Sequence, residues 1–144
     1  TVADPRATVV LDDVGEYEVY TFLIDNSTIT YSSSEVNGSA SVGLAVKLSA
    51  AKTVALAGDG DAVIGKLIQV FADNTATVQV GDVLVLPGGN GASLTLGKKI
   101  VGALNASSAA GYIREVATGT AAELGKARGA ILDAGTTTAV KVLM

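Results

Sequence analysis

The chain has 144 residues and a net charge of −4, with no His, Cys or Trp, while Ala, Val and Gly fill about four positions in ten. Lacking His it lacks the usual proton carrier near pH 7, and lacking both His and Cys it lacks the soft-metal ligands, so ordinary routes to catalysis are few. Its bases are scattered, with no run longer than Lys98-Lys99, and two Phe and four Tyr are too few for the basic, aromatic-studded face of a nucleic-acid binder.

A mass of 14.3 kDa predicts one domain with an appended arm, and 49% hydrophobic against 17% charged residues predicts a folded core. No run reaches the ~18 apolar residues of a membrane-spanning helix. The N-terminal Thr1-Val2-Ala3-Asp4-Pro5-Arg6 lacks the pattern of a secretory signal. The expectation is therefore a packing or interaction module with no nucleic-acid or membrane partner, no cofactor and no metal.

Residues 1–14 read as an extended arm, because Pro5 and its polar neighbours oppose helix and Thr8-Val9-Val10-Leu11 is a short β-prone run. Residues 15–144 read as a single β-rich domain. Tyr17 to Ile24 predicts a strand, Asp25-Asn26-Ser27 a turn, and Thr28-Ile29-Thr30-Tyr31 a return strand. Residues 32–41 are small and polar, with Asn37-Gly38 as a turn signal, and predict a loop or linker. Leu44 to Leu48 and Thr53 to Leu56 flank Ser49-Ala50-Ala51-Lys52 as a hairpin, and Gly58-Asp59-Gly60-Asp61 turns the chain into Ala62 to Phe71.

Thr75 to Val80 alternates strictly, with Ala76, Val78 and Val80 on one face, the period of a half-buried antiparallel strand. Val83 to Leu86 follows as a short strand, Pro87 to Gly91 as a hairpin loop, and Ala92, Leu94 and Leu96 alternate as another strand. Ile100 to Leu104, Tyr112 to Val116, Gly129 to Leu132 and Ala139 to Leu143 complete the series. One short helix of at most two turns is predicted near Thr120 to Leu124, where Gly125 and Gly129 end it. Strands recurring at this spacing predict a mainly β fold, a small antiparallel barrel or sandwich.

Three segments echo one another: Ile64-Gly65-Lys66-Leu67-Ile68, Val101-Gly102-Ala103-Leu104 and Arg128-Gly129-Ala130-Ile131-Leu132. Their spacings, 37 and 27 residues, are too unequal for a solenoid. Glycine in a strand instead predicts local bending of the sheet.

Candidate chemistry is sparse. Gly58-Asp59-Gly60-Asp61 resembles a fragment of a calcium loop, but position twelve counted from Asp59 is Val70 rather than Glu, so a glycine turn with solvated acids is expected. Gly88-Gly89-Asn90-Gly91 fails the phosphate-loop pattern, because Lys98-Lys99 opens no helix. Thr1 is the one N-terminal nucleophile on offer, on an arm poorly suited to preorganisation. Ser32, Ser33 and Ser34 have no lysine at telling spacing, and Asn26, Asn37 and Asn105 head glycosylation-type tripeptides read as loops. Asp12-Asp13, Glu16 and Glu18 read as solvated acids rather than a glycosidase pair.

From Gly43 to Met144 the chain resembles the head decoration (cement) proteins of tailed bacteriophages. The resemblance lies in Val42 to Leu48, Gly60 to Leu67, Thr75 to Val80, Gly97 to Gly102, Arg128 to Leu132 and Thr136 to Met144, and it is one of texture: glycine-punctuated valine strands, many alanines, few aromatics. It implies a small β-tulip-like barrel with an N-terminal arm, a homotrimer seated on the major capsid protein at the outer surface of the virion, bracing the shell. It also implies that the arm meets the coat protein through Val2, Pro5, Arg6, Thr8, Val9, Val10 and Leu11. Arg6 is the arm's one base, which favours backbone and apolar contacts over charge.

Overall fold

A computed structural model describes residues 18–117, 121–136 and 138–144. They form β1 (Val19–Ile24), β2 (Ala45–Ala50), β3 (Thr53–Leu56), β4 (Gly65–Val70), β5 (Thr75–Gln79), β6 (Val83–Leu86), β7 (Ile100–Ala103), β8 (Tyr112–Glu115), β9 (Ala130–Thr136) and β10 (Ala139–Leu143). One α-helical turn, α1 (Ala121–Leu124), and a 3-10 turn over Val36–Gly38 are the helical segments among the described residues. The molecule is mainly β, as the strand spacing predicts.

The first five strands close a barrel in the order β1-β3-β2-β4-β5. Four of its seams are antiparallel. The fifth, between β1 and β3, is parallel and short, with Leu23 beside Thr53 and Ile24 beside Val54. Alternation dictates the filling: Ile24, Val46, Val54, Leu67, Val70, Ala76 and Val78 project inward and are buried, with Ile29 added from the connection after β1. Each fully buried Val, Leu or Ile contributes roughly 1.5–3 kcal/mol.

The last five strands form a second ring of the same design. β6, β10 and β9 form one sheet and β7 and β8 a hairpin. Single bridges join these pieces, antiparallel between Ile100 and Arg128 and parallel between Gly88 and Ile113. The resulting order, β6-β8-β7-β9-β10, repeats the first barrel strand for strand, including its one parallel seam.

The register repeats as well. Phe22 pairs with Ala76 and Tyr20 with Val78 in the first barrel, and Leu86 pairs with Val140 and Leu84 with Val142 in the second. Gly43 N–H donates to Leu67 O at 2.7 Å and Leu67 N–H to Leu44 O at 3.0 Å, matched by Gly97 to Ile131 at 2.8 Å and Ile131 to Lys98 at 3.0 Å. Val80 N–H donates to Glu18 O at 2.9 Å, and Met144 N–H to Asp82 O at 3.0 Å. The chain is an internal structural repeat of one five-stranded unit.

This repeat changes the meaning of the glycine echo. Gly65 and Gly129 are counterparts, 64 positions apart, whereas Gly102 occupies the place of Leu48 and belongs to no common series. A Cβ on Gly65 would stand 2.2 Å from Gln79 O, and one on Gly129 would stand 2.7 Å from Leu143 O, the counterpart carbonyl. Both glycines permit the backbone to cross close over the final strand of their barrel.

Three predicted local features differ in the structure. Thr28 to Tyr31 forms no strand, because the Asp25 carboxylate accepts the amides of Ser27, Thr28 and Ile29 and bends the segment inward. Ala92 to Leu96 forms no strand either: Ser93 O accepts from Glu115 N–H, while Gly97 N–H turns to Ile131. Pro87 to Gly91 is no hairpin loop, since β6 and β7 are not neighbours and the segment instead runs beside β8.

The two barrels are joined by a shared core. Ala45, Ala57 and Val63 of the first lie in one buried cluster with Leu84, Leu86, Ile100, Ile113, Ile131, Val140 and Val142 of the second. Backbone bonds cross the same boundary, from Ala45 N–H to Gly111 O, Gly111 N–H to Ala57 O and Gly102 N–H to Asp61 O, each 2.8 Å. A Cβ on Gly102 would lie 2.2 Å from Gly58 O, so this junction requires glycine there.

Candidate interaction surface

The arm residues Val2, Pro5, Arg6, Thr8, Val9, Val10 and Leu11, together with Thr1, Asp12, Asp13 and Glu16, lie outside the described residues. The remaining candidates fall in three places on the barrels.

The Gly58 to Asp61 segment is a turn, as predicted, but its acids are engaged rather than simply solvated. Asp61 Oδ2 accepts from Lys47 Nζ at 2.7 Å and from Gly58 N–H at 2.9 Å. Burial opposes ionisation of Asp61, yet the Lys47 and Gly58 hydrogen bonds outweigh it and hold the carboxyl below its usual range. Asp59 Oδ1 accepts from Arg114 Nε at 3.0 Å.

Arg114 is the centre of the polar interface between the barrels. Its Nη1 and Nη2 grip the two oxygens of Glu123 at 2.5 and 3.0 Å, and Nη1 also donates to Glu115 O at 3.1 Å. Glu123 Oε1 in turn accepts from Ala117 N–H at 2.8 Å. The bidentate Arg114 contact, with help from that amide, drives the Glu123 carboxyl down to about 2, and the guanidinium is raised in the opposite sense. These bonds tie the connection carrying α1 to β8 and to the Asp59 turn of the other barrel. Sequence reasoning passed over Arg114 and Glu123, because Arg114 and Asp59 are separated by 55 positions and no motif links them.

Asp25 organises the third place. Besides the three amides, its Oδ2 accepts from the Thr28 hydroxyl at 2.7 Å, and Thr28 Oγ1 accepts from Leu56 N–H at 2.9 Å. Burial works against the Asp25 charge, but the Thr28 and Ile29 donors prevail and its carboxyl lies below the usual range. The bend fixes Ile29 in the barrel core.

Other singled-out residues are structural. The Ser32 and Ser34 hydroxyls bond each other at 2.9 Å. Asn105 Oδ1 accepts from Ser107 N–H and Ala109 N–H, both at 2.9 Å, closing the β7–β8 loop. An open groove of about 710 Å³ runs past Asp59, Asn90, Asn105, Arg114 and Glu115. Because Arg114 Nε, Nη1 and Nη2 are all engaged with protein acceptors, the groove offers a neutralised rather than a cationic wall.

Among the described residues, no group of three or more His, Cys, Asp or Glu converges as a metal site, and no helix is long and apolar enough to cross a membrane. The geometry defines a protein of two successive five-stranded β units, the first a closed barrel and the second a ring completed by single bridges, held by three buried aliphatic clusters and by ion pairs that fasten its connections. Comparison of the chain with protein-family models, with curated proteins and with solved structures finds no match.

Proposed function

We propose that the protein is a structural virion component that binds the outside of an assembled icosahedral phage head and stabilises it. The observation that carries this reading is the use made of charge. Asp59, Asp61, Arg114 and Glu123, the described groups nearest to a chemical site, fasten turns and connections to the barrels. Such an arrangement serves rigidity and contact area, which is what a brace requires.

The mechanism is linkage. A protein that binds the expanded shell and not its separated subunits adds binding energy to the shell, about 2.7 kcal/mol per site at a free concentration one hundred times Kd. Repetition over a lattice lets each contact be modest, because neighbouring engagements raise one another's effective concentration. In this reading the protein assembles as a homotrimer on the major capsid protein. The arm, through Val2, Pro5, Arg6, Thr8, Val9, Val10 and Leu11, adds main-chain hydrogen bonds to an exposed sheet edge of the coat.

Removal of residues 1–14 tests the attachment. The truncated protein is expected to keep the melting behaviour of the barrels and to lose co-sedimentation with phage heads. Undiminished binding after truncation would remove the arm from the account.

A further inference from the structure

The first barrel carries a segment that the second ring does without. Nineteen positions separate Ile24 from Gly43, whereas nine separate their counterparts Gly88 and Gly97. The extra length is taken up by the loop around the Val36–Gly38 turn, which closes on itself: Ser32 N–H donates to Gly38 O at 2.8 Å, and Gly38 N–H to Glu35 O at 3.2 Å. The loop is seated on the end of β4, where a Cβ on Gly38 would collide with Val70 O. With that contact and a φ of +86°, position 38 requires glycine.

Between loop and strand runs a groove of about 310 Å³. Tyr31, Glu35 and Asn37 line it from the loop, and Gln69 and Phe71 from β4 and the turn after it. Tyr31 is 39% exposed and Phe71 40%, so two of the six aromatic rings in the chain border one groove. The fold itself demands neither. Tyr31 opens the added loop, and the counterpart of Phe71, 64 positions on, is Gly135. The polar groups are uncommitted as well. Asp25, Asp61, Asn105 and Glu123 spend their oxygens on fastening turns, whereas the side chains of Ser33, Glu35, Asn37 and Gln69 bond no other described residue.

This lining selects the ligand by exclusion. No Lys or Arg borders the groove and Glu35 repels anions, so phosphates and nucleic acids meet no counter-charge there. Main-chain groups on both walls are already engaged, Ser32 N–H with Gly38 O and Phe71 N–H with Thr75 O, each at 2.8 Å, which disfavours peptide pairing. A quaternary ammonium would use the rings and Glu35 but leave the amides idle. Aromatic faces beside groups that both donate and accept match a neutral sugar, whose C–H face is apolar and whose hydroxyls pair with planar amides and carboxylates.

We propose that the groove between this loop and the end of β4 binds a neutral saccharide, with Tyr31 and Phe71 packing on its C–H faces and Glu35, Asn37 and Gln69 taking its hydroxyls. Its volume lies at the small end of ligand pockets, which begin near about 300 Å³, and suits a short saccharide. The site stands apart from the head-binding reading, and either holds if the other fails.

The test titrates the ¹⁵N-labelled full chain at millimolar concentrations of glucose, galactose, N-acetylglucosamine, maltose, lactose and chitobiose, with choline chloride and inorganic phosphate as competing chemistries. The expected result is saturable shifts of the Tyr31 to Gly38 and Gln69 to Ala72 amides with at least one sugar. Tyr31→Ala and Phe71→Ala should each weaken that binding about tenfold or more, a loss of about 1.4 kcal/mol. Both should melt like wild type, because neither ring belongs to a buried cluster. Gln69→Leu, which keeps the bulk on β4, should weaken binding too, and Asn90→Ala in the larger groove should not. No shift with any of the sugars would overturn the proposal. So would shifts with choline or phosphate in their place, or sugar binding that survives removal of both rings.

Discussion

Gly65 and Gly129 stand at the same point of two successive barrels, each so near the carbonyl of a residue in the closing strand that an added Cβ would lie 2.2 Å from Gln79 O or 2.7 Å from Leu143 O. That pairing shows the repeat at its most constrained, because a side chain at either place would collide with backbone rather than with a movable tip.

Alanine at either position should therefore destabilise the protein. Overpacking against backbone costs about 1–3 kcal/mol, and Gly129 adds the strain of a φ of +70°. Thermal or urea unfolding of Gly65→Ala and Gly129→Ala checks this, and wild-type stability in both would show that the crossings are loose.

Acid should weaken the tie between the barrels in a defined window. The Glu123 carboxyl is lowered in the folded protein from 4.5 to about 2. A lowered folded value means the stabilisation is fully present above the unfolded value and fades as pH falls from about 4.5 towards about 2. Asp25 and Asp61 are shifted in the same direction and add to the slope. Unfolding measured across pH 2–5 should show a shallower decline in Glu123→Gln than in wild type, and identical slopes would refute the Arg114 contact as a stabilising one.

Removing the Asp25 carboxylate should release the segment that follows β1. Asp25→Ala leaves the part-buried Ile29 amide without its acceptor, at a cost of about 1–3 kcal/mol, while the exposed amides of Ser27 and Thr28 turn to water. Ile29→Ala, which empties a core position, should cost about 2–5 kcal/mol. Hydrogen exchange at Ser27, Thr28 and Ile29 is expected to accelerate in Asp25→Ala, while the amides of β9 and β10 stay protected.

The strands legible in the sequence each pair with at least one neighbour along most of their length. Thr75 to Val78 and Ala139 to Leu143 alternate in burial because one face of each fills a barrel, and the alternation breaks at Gln79, which is buried while Val80 is half-buried. Ala92 to Leu96 alternates too, but its main-chain groups are divided between β8 and β9, so it never becomes a strand. Thr28 to Tyr31 has the composition of a strand, and one carboxylate two to four residues upstream overrides it. The repeat was hidden because the connections differ: a longer segment follows β1 than follows β6, while the second barrel has the longer links around β8. At an offset of 64 residues β1, β4 and β5 fall on β6, β9 and β10, but β2 and β3 reach β7 and β8 only at shorter offsets, and the side chains at equivalent places differ, as Tyr20 and Leu84 do. The polar centre at Arg114 left no trace in the sequence, since its partners come from separate connections.

The decorating role is tested most directly by heating phage heads that have been stripped of the protein beside heads to which it has been restored, in the same buffer, and following DNA release. The account predicts that restored heads retain the protein and release DNA at a higher temperature, by an increment that saturates as protein is added. Equal release temperatures, with no protein retained on the heads, would contradict it.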